Sequence, residues 1–391
     1  VRDVASLCEQ ANVALRVLPS IREVVGGRIT ARDIRDLQIE DLLGRQQVAV
    51  DMEAVASIIR GRRVLVSGAG GSIGSEIARQ VVEFQPETLV LLDHDETHLH
   101  DLITELHGRG DVRLALADIR EQDRILSVFT RHRPEVVFHA AAHKHVDVLE
   151  LNPEEALATN IMGTANVADA AIATGVARFV LISTDKAVRP QSVMGASKWF
   201  GEQIVRSVDG ECVFCAVRFG NVLGSRGSAI PTFLRQISLG GPVTVTHADM
   251  ARYFMSIREA VLLVLQAAAL SRGGEVFTLD MGDPVNILEL ARRLIRLSGR
   301  VPGRDIAIEF IGVRPGEKLL EDLVDPAEEP VASEHPSIVV SRPPHPERRL
   351  LRHAIRELEA LAHEGRTDEL AGRMKALALE AFHSPAMGVA Q

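Results

Sequence analysis

The chain has 391 residues, of which 46% are hydrophobic and 25% charged, with a formal net charge of −9. That composition suits a soluble globular protein built from one large domain plus extensions. The acidic balance and the lack of a lysine/arginine block argue against nucleic acid as a partner, and no apolar run approaches the roughly 20 residues needed to span a bilayer.

Three cysteines cannot make a disulfide framework. Cys212 and Cys215 form a C-x-x-C spacing. However, Val213, Phe214, Ala216 and Val217 around them read as a strand, so they are expected to be core residues. A zinc site would need further ligands, and no metal is expected.

The chain opens on Val1 in mid-pattern, as a piece of something longer would. Residues 1 to about 60 alternate apolar and charged clusters, and 52–61 reads as a helix leading into the next strand. Arg63 to Ser67 is the first clear strand. It enters Gly68-Ala69-Gly70-Gly71-Ser72-Ile73-Gly74, followed by a helix expected from Ser75 to about Glu83. Glycines at 68, 71 and 74 let the backbone turn tightly and approach a pyrophosphate at a helix N-terminus, where free N–H groups favour an anion. The second strand, Thr88 to Leu92, ends in Asp93. A carboxylate there accepts hydrogen bonds from ribose hydroxyls and repels a 2′-phosphate, which favours NAD over NADP.

Alternating units continue. A strand over 112–116 ends near Asp118-Ile119, and a strand from Val136 to His139 runs into Ala140-Ala141-Ala142. A helix over 152–174 and a strand over 178–183 follow. The alanines permit close approach of a cofactor, or serve packing. His143-Lys144-His145 tempts a metal reading without supporting carboxylates, and reads better as a cleft lining or a solvated loop. The strand Phe179 to Ile182 delivers Ser183-Thr184-Asp185-Lys186 to the C-terminal edge of a parallel sheet, where such sheets bind ligands. Met194-Gly195-Ala196-Ser197-Lys198 comes next.

After residue 210 the pattern loosens. A strand from Cys212 to Phe219 precedes the loop Gly220 to Ser228, and a helix is expected from Pro231. A helix over 257–270, a strand over 275–280 and a helix capped by Asn286 come next. Pro326 to Pro346 reads as a linker or extended crossing, and 347–383 as two amphipathic helices.

Strand, glycine loop, helix, acid-terminated second strand and the Ser/Thr strand end together resemble the extended short-chain dehydrogenase/reductases. Their catalytic Y-x-x-x-K has its lysine at Lys198, but position 194 is methionine, and the chain's only tyrosine is Tyr253. More specific motifs are His139 to Val146, Ser183 to Val188, Arg218 to Ser225, Arg252-Tyr253-Phe254-Met255 and Arg314-Pro315-Gly316-Glu317-Lys318. With these, residues 1–345 resemble the long, methionine-for-tyrosine nucleotide-sugar 4,6-dehydratases of polysaccharide biosynthesis. Ser67 and Ala251 depart from threonines usual in that family.

The resemblance implies an α/β fold of the extended short-chain dehydrogenase type, a doubly wound parallel sheet with a smaller C-terminal substrate-binding part. Residues 1–60 would be the tail of a preceding Rossmann-like domain plus a connecting helix. Residues 61–345 would be the catalytic domain, with the NAD-binding core at about 61–220 and substrate binding mostly at 221–345. Residues 346–391 would be a helical extension. The whole protein would sit at the cytoplasmic face of the inner membrane through N-terminal segments absent from this soluble chain. Class behaviour implies a homo-oligomer.

The implied chemistry is NAD-dependent conversion of a UDP-N-acetylhexosamine, first of all UDP-N-acetylglucosamine, by C4 oxidation, water elimination across C5/C6 and hydride return to C6. By analogy Lys186 is the C5 base and Asp185 the C6 acid. Thr184 bonds the C4 hydroxyl region, with Asp185 taking its proton through Thr184 or water, and Met194 shapes the site. Lys198 holds the nicotinamide ribose. Gly68, Gly71, Ser72, Ile73, Gly74, Asp93, Asp118, Ile119 and Ala140 to Ala142 complete the cofactor site. Lys144, His145, Asn221, Ser228, Arg252, Arg314 and Glu317 are the substrate candidates, with the two arginines suited to a diphosphate. A 4-epimerase of the same fold would not need an acid/base pair for water loss. A non-catalytic NAD-binding module would not need Thr184-Asp185-Lys186 at all.

Overall fold

Short β-branched and leucine-rich runs separated by amphipathic helices build a nine-stranded sheet. The structure, a computed structural model, describes residues 48–383 except 209 and 344. It also describes Arg16–Val17 and Arg35–Asp36, which pair antiparallel. The rest of residues 1–45, read above as the tail of a preceding domain, lies outside the described residues.

The sheet strands are β1 (Arg63–Ser67), β2 (Thr88–Asp93), β3 (Val112–Leu116), β4 (Val136–His139) and β5 (Arg178–Ile182). They continue with β6 (Val213–Arg218), β7 (Val276–Leu279), β8 (Val331–Ala332) and β9 (Ile338–Ser341). Their order is β8-β9-β7-β6-β5-β4-β1-β2-β3. The seven from β7 to β3 are parallel, and β9 and β8 join antiparallel at the β7 edge. All six residues of β2 are buried, as expected for a central strand covered on both faces.

Alternate side chains of β1 and β2 go to opposite cores. Leu65, Val90 and Leu92 face the side covered by α4 (Gln122–His132), α5 (Val146–Leu151), α6 (Thr164–Thr174) and α7 (Val193–Arg206). Val64, Val66, Leu89 and Leu91 face α1 (Met52–Ile59), α2 (Ser72–Glu83), α3 (Glu96–Glu105) and α9 (Ile257–Leu270). The strand order reverses at β1 and β4, which opens a crevice at their C-terminal ends.

A smaller part is held by three short ladders: 221–222 with 254–255, 243–245 with 308–310, and 251–252 with 285–286. There α8 (Ala229–Ser238) and α10 (Ile287–Leu297) share a separate core through Phe233, Ile237, Leu290 and Leu294. Asn286 caps α10 as expected, accepting the Glu289 N–H at 3.0 Å. The terminal helices α11 (Arg348–His363) and α12 (Thr367–His383) join the core cluster of α7 through Leu358, Leu370 and Met374.

Three local expectations are corrected. Helix α2 starts at Ser72, so the end of the glycine motif is already helical. Residues 152–174 are not one helix: a π-helical stretch, Ala156–Gly163, interrupts them. There Gly163 lies against Ile119, whose Cδ1 would be 2.6 Å from an added Cβ. Pro326 to Pro346 is not merely a linker. Within it the β-branched run Ile338-Val339-Val340 adds β9 to the sheet, a pairing that the surrounding proline and charge obscure.

Candidate active site

The glycine loop joins β1 to α2 at the crevice. Gly68 has φ +67°, and an added Cβ would stand 2.5 Å from the Ala141 amide nitrogen. At Gly74 it would meet the Gly68 carbonyl oxygen at 2.1 Å. These contacts explain both glycines, and they place Ala140 and Ala141 directly beside the loop. Gly71 caps α2 without a side-chain hydrogen bond, so the first amides of the helix, at Ser72, Ile73 and Gly74, line the cleft. Such a terminus fits a diphosphate.

Asp93, at the end of β2, accepts the Gly70 N–H at 2.8 Å and the Asp95 N–H at 3.0 Å. Asp118 binds Arg120 at 2.6 Å, and that guanidinium holds its carboxyl below the usual range. These residues line the cleft along the C-terminal ends of β1, β2 and β3.

At the end of β5 three functional groups converge. Asp185 Oδ1 accepts from Thr184 Oγ1 at 2.8 Å and from Lys186 Nζ at 2.9 Å. Lys186 Nζ also donates to Asn221 Oδ1 at 3.3 Å and lies 3.8 Å from Glu321 Oε1. Thr184, Lys186 and Glu321 line the cleft, whereas the Asp185 side chain is 0% exposed. Asp185 Oδ2 is buried with no hydrogen-bond partner. A buried orphan of this kind needs an explanation beyond packing.

Helix α7 is capped by Ser192, whose Oγ accepts the Gly195 N–H at 3.0 Å. It presents Met194 and, one turn on, Lys198 to the same cleft. Burial pushes the Lys198 amine down to about 8, partly offset by the Glu202 carboxylate. Behind it His139 is fully buried between Ser67 Oγ at 2.6 Å and Thr164 Oγ1 at 3.1 Å. Burial, with the Lys198 charge, drives its ring down to about 3, so the ring is neutral.

The cleft, about 1000 Å³, brings together every residue singled out from the sequence except Asp185, which supports it from below. On the far wall Lys144 donates to the Arg226 carbonyl at 2.8 Å, and burial lowers its amine. Arg252 is buried and donates to the Ala251 and Leu319 carbonyls. Ser228 Oγ is buried without a partner. Arg314 is half-exposed and paired with Asp147 at 2.9 Å.

The family model for polysaccharide biosynthesis proteins matches residues 64–343. The chain belongs to the polysaccharide biosynthesis protein family. It is 51% identical over 324 residues to the probable polysaccharide biosynthesis protein EpsC of Bacillus subtilis, covering 81% of this chain and 54% of that one. It is 34% identical over 273 residues to the UDP-glucose 4-epimerase of Rickettsia prowazekii, covering 67% and 77%. The structure of Pen from Bacillus thuringiensis matches with a TM-score of 0.68 and 35% identity over 73% of this chain and 88% of that one.

The fold is that of the extended short-chain dehydrogenase/reductases, and solved enzymes of this fold carry bound NAD. The chain spans about half the length of the curated relatives it matches first. Among the described residues no helix is long and apolar enough to cross a membrane.

For this family member, sequence reading missed four features. Glu321 is one; nothing local distinguishes it from Glu317 or Asp322 beside it. Arg226 is another: its guanidinium donates to the Gly70 carbonyl at 2.7 Å and its amide to Ser72 Oγ, tying the 220–228 loop to the glycine loop. Asn160, on the π-helical stretch, brackets the His143 backbone at 2.8 and 2.9 Å and bonds Ser197. Last, Ser183 rests on a buried chain, Glu202–Arg218–Glu328, with contacts of 2.6 to 2.9 Å.

Proposed function

We propose that this chain is the catalytic portion of an NAD-dependent nucleotide-sugar 4,6-dehydratase acting on a UDP-N-acetylhexosamine, UDP-N-acetylglucosamine first. The observation that carries the reading is the Thr184–Asp185–Lys186 group, hydrogen-bonded within itself at 2.8 and 2.9 Å beside the nucleotide cradle. An epimerase needs to handle one proton, at the C4 hydroxyl. A dehydratase needs a second base at C5 and an acid at C6, and an amine fixed in the cleft by two oxygens suits the first of these.

Gly68, the α2 amides, Asp93 and Lys198 would hold the cofactor, and Asp93 favours NAD because it repels a 2′-phosphate. Bound NAD supplies the oxidation at C4 and the matching reduction at C6. Thr184 takes the hydrogen bond of the C4 hydroxyl and relays its proton to Asp185 through Oδ1, the oxygen it contacts at 2.8 Å. Lys198 adds positive charge that favours the developing alkoxide. Lys186 removes the C5 proton. Asp185, shut off from the cleft, orients Lys186 in this reading instead of protonating C6. Arg252, buried and multiply bonded, is a stronger diphosphate clamp than the half-exposed Arg314.

The test is incubation with UDP-N-acetylglucosamine and analysis of the product by mass and sugar NMR. Loss of one water with a 4-keto-6-deoxy sugar is expected. A product of unchanged mass and inverted C4 would make the protein an epimerase. Mass analysis of cofactor extracted from the purified protein should find NAD(H), and NADP(H) as the main species would overturn the Asp93 assignment.

A further inference from the structure

The dehydratase reading leaves the C6 hydroxyl without a proton donor. It must leave as water, yet the fully buried Asp185 side chain accepts from Thr184 and Lys186 and does not line the cleft. Any donor must face the cleft, sit beside the C5 base and recover its proton each turnover. Glu321 meets the geometric conditions. It is 4% exposed, lines the cleft, and its Oε1 stands 3.8 Å from Lys186 Nζ. It follows the Arg314 to Lys318 segment, whose backbone is held over the β5 end by Lys318 donating to the Val188 carbonyl at 3.0 Å. Arg252 donates to the Leu319 carbonyl at 3.1 Å and anchors the same turn from the other side.

We propose that Glu321 is the acid that protonates the departing C6 hydroxyl, and that it is recharged through Lys186 and Asp185. This rests on the dehydratase reading and deepens it.

The C4 hydroxyl proton passes through Thr184 to Asp185 during oxidation at C4. The C5–H bond then breaks, its proton going to the Lys186 amine and its electron pair forming the C5–C6 double bond. The C6–O bond breaks with its pair leaving on oxygen, which takes the Glu321 proton and departs as water. On reduction at C6 the Lys186 proton returns to C5. The proton stored on Asp185 then crosses Lys186 to Glu321, and the three groups regain their starting states. The first two contacts needed, 2.8 and 2.9 Å, are hydrogen bonds, and the third, 3.8 Å between Lys186 Nζ and Glu321 Oε1, is an ion-pair distance that a side-chain rotation must shorten for the transfer. Burial also holds the Glu321 carboxyl above its ordinary range, against the pull of the Lys186 charge, which shifts it toward the protonated form.

The experiment uses the full chain with Glu321→Gln, Glu321→Asp and, as control, the exposed neighbour Asp322→Asn. Each is given UDP-N-acetylglucosamine in heavy water. Two quantities are read: water loss, from product mass, and deuterium at C5 of the recovered substrate. Glu321→Gln should lose about 10²–10³-fold in water loss, retain its cofactor content, and still exchange C5 because Lys186 is intact. Glu321→Asp should restore part of the loss, and Asp322→Asn should match the wild type. Water loss by Glu321→Gln within about threefold of wild type would remove Glu321 from the reaction. Loss of C5 exchange together with water loss would make it a support for Lys186 and no acid. If the wild-type protein itself releases no water, the dehydratase reading falls and this assignment falls with it.

Discussion

The two halves of the site are built in opposite ways. In the nucleotide half, residues 63–218, the site residues cluster at the C-terminal edge of a regular parallel sheet, and two of the contacts that fix the cradle lie close in the chain. Asp93 meets Gly70 23 residues away, and Gly71 bonds Gly68 three residues away. In the substrate half, ladders of two or three residues hold the wall, and the decisive contacts span long separations. Arg252 reaches Leu319 67 residues on, and Arg300 reaches Ile237 63 residues back. The nucleotide half is a local design repeated across a sheet; the substrate half depends on tertiary closure. The proposed chemistry lies where the two meet, at Lys186, which bonds Asp185 from one half and faces Asn221 and Glu321 from the other.

The largest effect should come at that meeting point. Lys186→Ala should lower turnover by about 10²–10⁴-fold and abolish deuterium exchange at C5, while cofactor content stays unchanged because the residues proposed to hold the cofactor, Gly68, Asp93 and Lys198, are kept. Near-normal turnover with normal exchange would make Lys186 a solvated loop residue and separate the two halves functionally.

The seam between the halves is tested by Glu202→Leu. Arg218 is 1% exposed and sits between Glu202 and Glu328, whose carboxylates outweigh the burial that opposes its charge and raise its pKa. Removing Glu202 also takes the acceptor from Ser183 Oγ. Breaking such a buried pair from one side costs about 3–5 kcal/mol, so denaturant unfolding should show a large fall in stability. A fall below about 1 kcal/mol, the range of exposed pairs, would show the seam to be dispensable.

The same contrast decides what was legible in the sequence. The glycine loop, Asp93, the strand ends and Thr184 to Lys186 were legible because hydrophobic period and turn chemistry act over a few residues. The start of α2 was misplaced because Ser72 and Gly74 are helical residues with loop-like composition. Residues β9 and Glu321 were not legible for one shared reason. Their structure is set by partners far away in the chain, β7 for the strand and Lys186 for the acid. The place of Asp185 at the end of its strand was legible, but not its orientation. Only the fold shows that its carboxylate lies behind Lys186 and not in the cleft.

A smaller effect concerns Lys198. Its amine, pushed down to about 8 by burial, is charged at neutral pH and loses that charge as pH rises through about 8. A step that needs the ammonium should therefore fall on the alkaline side, by about tenfold per pH unit well above that value. Arginine stays charged throughout. Lys198→Arg, even if less active, should lose this alkaline limb. An unmoved limb would assign it to another group.

The smallest effect should be at Met194, where the sequence departs furthest from the Y-x-x-x-K pattern. The side chain is 4% exposed, one turn before Lys198, and lines the cleft. A thioether has no proton to give and accepts hydrogen bonds only weakly. In the proton route above, Thr184 and Asp185 take the work a tyrosine would otherwise do, leaving position 194 to fill space. Met194→Leu conserves volume and apolar character, so it should cost less than about 1.5 kcal/mol in stability. Activity should change only severalfold, far less than with Lys198→Ala. Met194→Tyr sharpens the point. A phenol there adds a competing donor in the cleft that Thr184 also lines, so it should not raise turnover if the Thr184–Asp185 relay already accepts the C4 proton. A large gain for Met194→Tyr, or a Met194→Leu protein as inactive as Lys198→Ala, would mean the relay does not carry that proton.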